Sequence, residues 1–207
     1  MTMATLTSVN VGAVRAVSYA GEEITTGIFK APVQGPVAVR GVNLDGDDQA
    51  DRSVHGGPYQ AVYAYAAEDY EWWAAALGRP MQPGQFGENL TTQGVDVNGA
   101  LVGERWRIGS TVLRVTIPRV PCFKLGLRMG DPQFLKRFAQ ALRPGSYLSI
   151  VTEGRVAAGD PIEVIWRPAH HLTIRDAARI RLFDHDRSSE LLVPEMPASW
   201  REWARSR

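Results

Sequence analysis

Apolar and polar positions alternate in short runs over much of the chain. Residues 8–18 carry Val9, Val11, Val14 and Val17, a β-branched near-alternation that predicts a strand with an irregularity at Gly12. Further strands are predicted over 24–30, 37–42 and 61–65, with Gly35-Pro36 as a turn between the first two. Helical spacing replaces alternation at 68–77, where Tyr70, Trp73, Ala74 and Leu77 fall at i, i+3, i+4 and i+7, and Gly78 and Pro80 stop the helix. Trp72 and Trp73 read as packing residues of that helix. Residues 104–117 read as a hairpin turning at Gly109-Ser110, with Trp106, Ile108, Val115 and Ile117 among its apolar positions. Asp131 and Pro132 predict the start of a second helix whose apolar face is Phe134, Leu135, Phe138, Ala141 and Leu142, closed by Gly145. Strands are expected over 147–151 and 161–166, joined by a turn at 152–155. The rhythm then becomes helical. Thr173-x-x-Asp176 resembles a capping box, and short helical pieces follow around 189–192 and 199–203, separated by Pro194 and Pro197.

Eight or nine short strands with two inserted helices predict a mainly β fold: a closed β-barrel with a small C-terminal helical appendix. The expected boundary gives a barrel over 1–168 and an appendix over 169–207. A chain of 207 residues accommodates this as one sizeable domain with an addition. Hydrophobic residues at 44% and charged residues at 22% are ordinary globular values. A net charge of +1 supplies no large basic field for nucleic acid, and no apolar run reaches membrane-spanning length. The N-terminal residues lack the charged region and apolar core of a signal peptide. A lone cysteine excludes an internal disulfide framework, fits a reducing compartment, and is too few for an iron–sulfur cluster. A cytoplasmic location is the expectation. Oligomeric state is not legible.

Three polar segments interrupt the pattern. The first, residues 43–58, is 16 residues without periodicity, ending His55-Gly56-Gly57-Pro58. Its acids Asp45, Asp47 and Asp48 suggest a calcium loop, but Ala50 stands where that loop needs glycine and no glutamate closes it. Gly56-Gly57 either admits close backbone approach to a ligand or makes a plain turn. The second is Phe86-Gly87-Glu88-Asn89-Leu90, whose carboxylate and amide could pair with a heterocycle or with their own turn. The third is Pro118-Arg119-Val120-Pro121-Cys122-Phe123-Lys124. Its prolines stiffen an extended loop, and its cations favour thiolate over thiol. The plainer alternative for Cys122 is a small buried hydrophobe.

Read together, Asp51-Arg52-Ser53-Val54-His55-Gly56-Gly57-Pro58, Phe86 to Leu90, and Pro118-Arg119-x-Pro121-Cys122-x-Lys124 resemble the motifs of the MOSC family, named for the molybdenum cofactor sulfurase C-terminal domain. The tail ending Pro197-Ala198-Ser199-Trp200 resembles the three-helix appendix of that family's YiiM-like branch. The resemblance implies a β-barrel fold, a molybdopterin-type molybdenum cofactor, and Cys122 as metal or sulfur ligand and catalytic residue. It implies cofactor binding by Arg52, His55, Gly56, Gly57, Glu88, Asn89, Arg119 and Lys124. His55 could also carry protons, or only pin its loop. The implied reaction is reduction of N-hydroxylated compounds such as purine bases. With no G-x-G-x-x-G fingerprint in the chain, a separate reductase would supply electrons. A non-catalytic cofactor or sulfur carrier is the alternative. A cysteine hydrolase, using Cys122 with His55, His170, His171 or His185 as base, is a third.

Overall fold

The computed structural model describes residues 3–50 and 56–207. In chain order the elements are β1 (Thr5–Val11), β2 (Arg15–Tyr19), β3 (Glu22–Thr26), β4 (Ala31–Val33), β5 (Val37–Arg40), β6 (Asn43–Leu44), β7 (Val62–Ala66), α1 (Ala67–Leu77), β8 (Leu90–Gln93), β9 (Arg105–Ile108), β10 (Thr111–Pro118), α2 (Phe123–Met129), α3 (Phe134–Ala141), β11 (Ser146–Thr152), β12 (Gly154–Val156), β13 (Ile162–Trp166), α4 (Ile174–Leu182) and α5 (Ala198–Arg205).

The fold is mixed α/β, which corrects the expected mainly β closed barrel. Eight strands form one open sheet in the order β13-β9-β10-β11-β7-β8-β1-β4. Most neighbours are antiparallel, but β7 and β8 run parallel, because α1 carries the chain across between them. The two ends of the sheet do not join through a ladder. β1 reaches the chain just before β13 in a single bridge, Thr5 to Pro161. Backbone bonds flank that bridge, from the Ile162 N–H to the Ala4 carbonyl at 2.8 Å and from the Leu6 N–H to the Asp160 carbonyl at 2.9 Å, but no further ladder forms, and Pro32 lies on the edge strand β4. Two smaller sheets stand outside the large one, β12-β5-β6 and the hairpin β2-β3.

The single strand expected over 8–18 is two strands, β1 and β2, broken at Gly12. A Cβ there would come within 2.8 Å of the Phe29 carbonyl oxygen, so only glycine lets the two backbones pass. The hairpin at 104–117 and the α1 helix form as the pattern predicts, and Gly78 caps α1 in the left-handed conformation. The second helix begins later than expected. Asp131 opens a turn, its carboxylate accepting from the Gln133 N–H at 2.8 Å, and α3 starts at Phe134. Leu142 rather than Gly145 caps its C-terminus, at φ 48°.

Two apolar clusters form the interior. The larger fills one side of the sheet with Leu6, Val9, Trp106, Ile108, Leu113, Val115 and Leu148. The smaller is aromatic: Tyr63, Tyr65, Tyr70, Trp73, Phe86, Phe134 and Phe138 lock α1 and α3 to the other side. Trp73 is a core residue, and its indole donates to the Tyr65 hydroxyl at 2.8 Å. In the tail, Thr173 caps α4, its hydroxyl accepting from the Asp176 N–H at 3.0 Å. Leu172, Ile174, Ala177, Ile180, Leu191 and Met196 join the larger cluster.

This packing generates a test of how the tail relates to the rest. Ile180 is fully buried, so Ile180→Ala is expected to cost about 2–5 kcal/mol in denaturant unfolding. A single cooperative transition shifted as a whole would mean one unit. Two transitions, with only the smaller one moved, would mark residues 169–207 as a separate appendix.

Candidate functional site

Where β10 ends, Pro118 releases the chain into the segment carrying Arg119 and Cys122. Cys122 is extended, at φ −128° and ψ 165°, and stands at the N-cap position of α2, a short helix that the sequence pattern did not predict. Its side chain makes no capping bond, so the free, half-buried sulfur is not spent on the helix. Lys124 lies two residues on, in the first turn of α2.

Cys122, Arg119 and Lys124 line one pocket, together with Asn89, Gly56, Gly87, Thr26, Lys30, Asp47, Gln49, Gln60, Tyr63 and Tyr147. Counting the open solvent at its mouth, the pocket spans about 680 Å³. The three polar segments of the sequence thus meet in space. Arg52 and His55 lie outside the described residues. Gly57 and Glu88 are not among the lining residues.

Arg119 is buried, only 6% exposed. Its guanidinium donates to the Phe86 carbonyl and sits over the Tyr63 ring, 5.1 Å from the centroid. Burial alone would lower its pKa, but Tyr147, Tyr63 and Cys122 around it hold it above the ordinary arginine value. The cation is therefore permanent. Gly87, at φ +73°, makes this arrangement possible: a Cβ there would come within 2.8 Å of the Ile28 side chain. Burial keeps the Tyr63 and Tyr147 hydroxyls protonated well into alkaline pH, with Arg119 pulling the other way. Neither Arg119 nor Lys124 has a carboxylate partner among the described residues.

Lys30, Asp47, Tyr63 and Tyr147 were not singled out from sequence. Lys30 and Asp47 form a buried ion pair at the pocket wall. Asp47 also accepts from the Gly12 N–H at 2.9 Å and from the Asn89 amide at 2.9 Å. Asp47 sits in the acidic stretch whose failure as a calcium loop hid its other use. A lysine ending a β-patterned run gave no signal. Asn89 spends its side chain on structure as well as on the pocket, accepting from the Tyr63 N–H at 3.1 Å.

Glu88 is fully buried behind the pocket. One of its oxygens accepts from the Tyr70 hydroxyl at 2.7 Å, the Gly84 N–H at 2.6 Å and the Thr91 hydroxyl at 2.8 Å. The other oxygen has no partner among the described residues. Burial raises its pKa above 4.5, only partly offset by those bonds. Among the described residues no group of three or more His, Cys, Asp or Glu side chains converges as a metal cage. Cys122 is a single soft donor beside two cations that have no carboxylate partner among the described residues.

These features define a pocket with a thiol and two cations at its wall, set in a mixed α/β sheet. Residues 51–163 match the MOSC domain, and the chain belongs to the MOSC domain family. It falls in that family's YiiM-like branch. It is 36% identical over 177 residues to YflK of Bacillus subtilis (strain 168), covering 86% of this chain and 80% of that protein. It is 31% identical over 180 residues to YiiM of Escherichia coli (strain K12), covering 84% of this chain and 80% of that one. A protein of Gibberella moniliformis named reductase is 34% identical over 166 residues, but they are only 29% of its length. The crystal structure of YiiM from Geobacillus stearothermophilus superposes with a TM-score of 0.81 at 28% identity, covering 98% of both chains. No described helix is long and apolar enough to cross a membrane.

Glu88 supplies a pH test. Its folded pKa lies above its unfolded value of about 4.5, so the folded protein binds more protons between the two. Stability from this group is present below pH 4.5 and is lost as pH rises through the folded pKa. Glu88→Gln is expected to keep the fold and to flatten that fall. Denaturant titrations of both proteins from pH 4 to pH 8 measure it.

Proposed function

We propose that the pocket binds a phosphorylated pterin carrying molybdenum, and that the chain is a reductase of N-hydroxylated compounds such as N-hydroxylated purine bases. The observation that carries this reading is convergence: Cys122, Arg119, Lys124, Asn89 and Gly56, from three separated segments, line one pocket.

The residues present fit such a group. Arg119 and Lys124 offer cations to a phosphate, the arginine with a pre-oriented fork. Gln49 lines the pocket with a buried carbonyl oxygen that has no partner among the described residues, an acceptor suited to an N–H of a heterocycle. Its amide nitrogen is already anchored, donating to the Gln60 carbonyl at 3.1 Å. The Cys122 sulfur is a soft ligand of the kind a thiophilic metal takes. Gly56 brings bare backbone to the wall. Arg52, Gly57 and Glu88 complete the proposed binding set, Glu88 by holding its turn in place. When bound, the cofactor supplies a metal centre that exchanges two electrons and an oxygen atom. Converting N–OH to N–H consumes two electrons and two protons and releases water. His55 is proposed to carry protons, and a separate reductase the electrons.

The deciding experiment begins with molybdenum and pterin analysis of protein purified from its own host. Loaded protein is then assayed anaerobically with 6-N-hydroxylaminopurine and either NADH alone or a reduced viologen dye. Turnover with the dye only is expected. Rapid turnover with NADH alone would reveal a redox site within the chain. No turnover despite full loading would leave a cofactor or sulfur carrier, a role compatible with the accessible thiol.

Cys122→Ser exchanges a soft thiolate for a hard hydroxyl of similar size. Activity is expected to vanish with little change in thermal stability; retained activity would remove the sulfur from the mechanism. Arg119→Ala or Lys124→Ala should each weaken cofactor retention by about 1.5–3 kcal/mol, read as pterin content after dialysis.

A further inference from the structure

We propose that the rim beside the Cys122 pocket, built by Arg15, Arg128 and the rings of Tyr19 and Phe123, docks the acidic face of an electron-donor protein. The proposal rests on the reductase reading above, which requires two electrons per turnover from outside the substrate.

The hairpin β2-β3 has no strand partner in the main sheet. A two-stranded ribbon is marginal by itself, so side chains must hold it. Tyr19 packs on Phe123 with ring centroids 5.2 Å apart. Arg15 lies 3.8 Å above the Phe29 ring. Arg128, on α2, approaches the same ring at 5.2 Å. Two guanidiniums thus share one phenyl ring. Neither has a carboxylate partner among the described residues, and the Arg128 Nε is buried without a partner. Burial depresses the Arg128 pKa, with Tyr70 and the buried Glu88 pulling it up and the nearby Arg15 charge adding a smaller push down. Lys124 stands one helical turn before Arg128 on the same face of α2, so a third cation continues the patch to the pocket mouth. Glu22 stands directly across from Tyr19 on the face that carries Arg15, and Glu23 lies across from Ser18 on the other face, so the rim holds three cations to one acid.

Cations gathered on one rim in excess of acids make a field that draws in an opposite charge. In the middle of the patch Phe123 and Val120 are 39% and 42% exposed. An apolar centre with a polar, mainly cationic rim is the anatomy of a docking surface rather than of a small-anion site. Phe123 follows Cys122 directly, so a protein seated there brings its redox group to the pocket wall. The class that delivers two electrons is a reduced flavoprotein or iron–sulfur protein. Charge complementarity requires its docking face to be acidic.

The test uses cofactor-loaded protein with reduced flavodoxin, an acidic electron-transfer protein, as the probe. The variants are Arg15→Glu, on the exposed hairpin, and Arg128→Gln, which removes the half-buried charge without reversing it. Both are assayed with flavodoxin and with the small viologen dye. The expected result is at least a tenfold loss of kcat/KM for flavodoxin, an unchanged rate with dye, and a wild-type flavodoxin rate that falls steeply with salt. Unchanged flavodoxin rates in the variants would overturn the proposal. So would equal losses with both donors, which would make the rim part of the small-molecule site. Wild-type protein driven by dye but not by flavodoxin would also overturn it. If dye drives no turnover at all, the reductase reading fails instead. The rim is then read by anisotropy of labelled flavodoxin: binding weakened tenfold by Arg15→Glu sustains the docking surface, and equal binding ends it.

Discussion

The Asp47 carboxylate holds the site together. One oxygen accepts from Gly12 and Lys30, the other from Asn89. Asn89 then ties the two parallel strands, its side chain accepting from the Tyr63 N–H and its own N–H donating to the Tyr63 carbonyl at 2.8 Å. Its carbonyl accepts from the Asn10 N–H at 2.7 Å. One buried charge therefore fixes the end of β1, the 43–50 loop, the turn before β8 and the start of β7 relative to each other. Removing a partner from such a buried pair leaves an uncompensated charge. Desolvation by burial already depresses Lys30 more than Asp47 restores it. The pocket wall is thus held by an arrangement that tolerates little rearrangement.

Arg119 solves a related problem differently. It is buried without a carboxylate, supported by one carbonyl and one aromatic face. A guanidinium is weakly enough hydrated to accept such partners. A carboxylate in the same place would neutralise it. The aromatic cluster behind it supplies stiffness: Phe86 stacks on Tyr65 with centroids 4.2 Å apart and carries the carbonyl that anchors Arg119. Packing, turn and charge are linked through a single residue.

Much of the site was legible from residue types. A lone cysteine between prolines and cations, a glycine pair and a Glu-Asn turn each pointed to chemistry, and their order carried the family resemblance. Cys122, Arg119, Lys124, Asn89 and Gly56 do meet at one pocket. Lys30, Asp47 and Tyr63 were not legible, because nothing local marks a lysine at a strand end or one aspartate among several. Glu88 was legible as a polar turn residue. Its burial behind Tyr70 was not.

The sequence by itself determined the local elements: the alternation of β9 and β10, the 3.6-residue spacing of α1 with its glycine stop, and the Thr173 cap of α4. Such features depend on neighbours a few residues away, which periodicity and capping chemistry report directly. Whether the strands close on themselves depends on which edges meet. That was decided over distance: β1 meets the chain before β13 in one bridge only, and β7 and β8 run parallel, so an open mixed sheet stands where a barrel was expected. The short α2 helix escaped notice because its seven residues are too few to display a period. The ion pair of Lys30 with Asp47 joins residues 17 apart through a fold that brings loop and strand end together. Only tertiary structure could choose that aspartate, since long-range burial, not local pattern, sets which charge must find a partner.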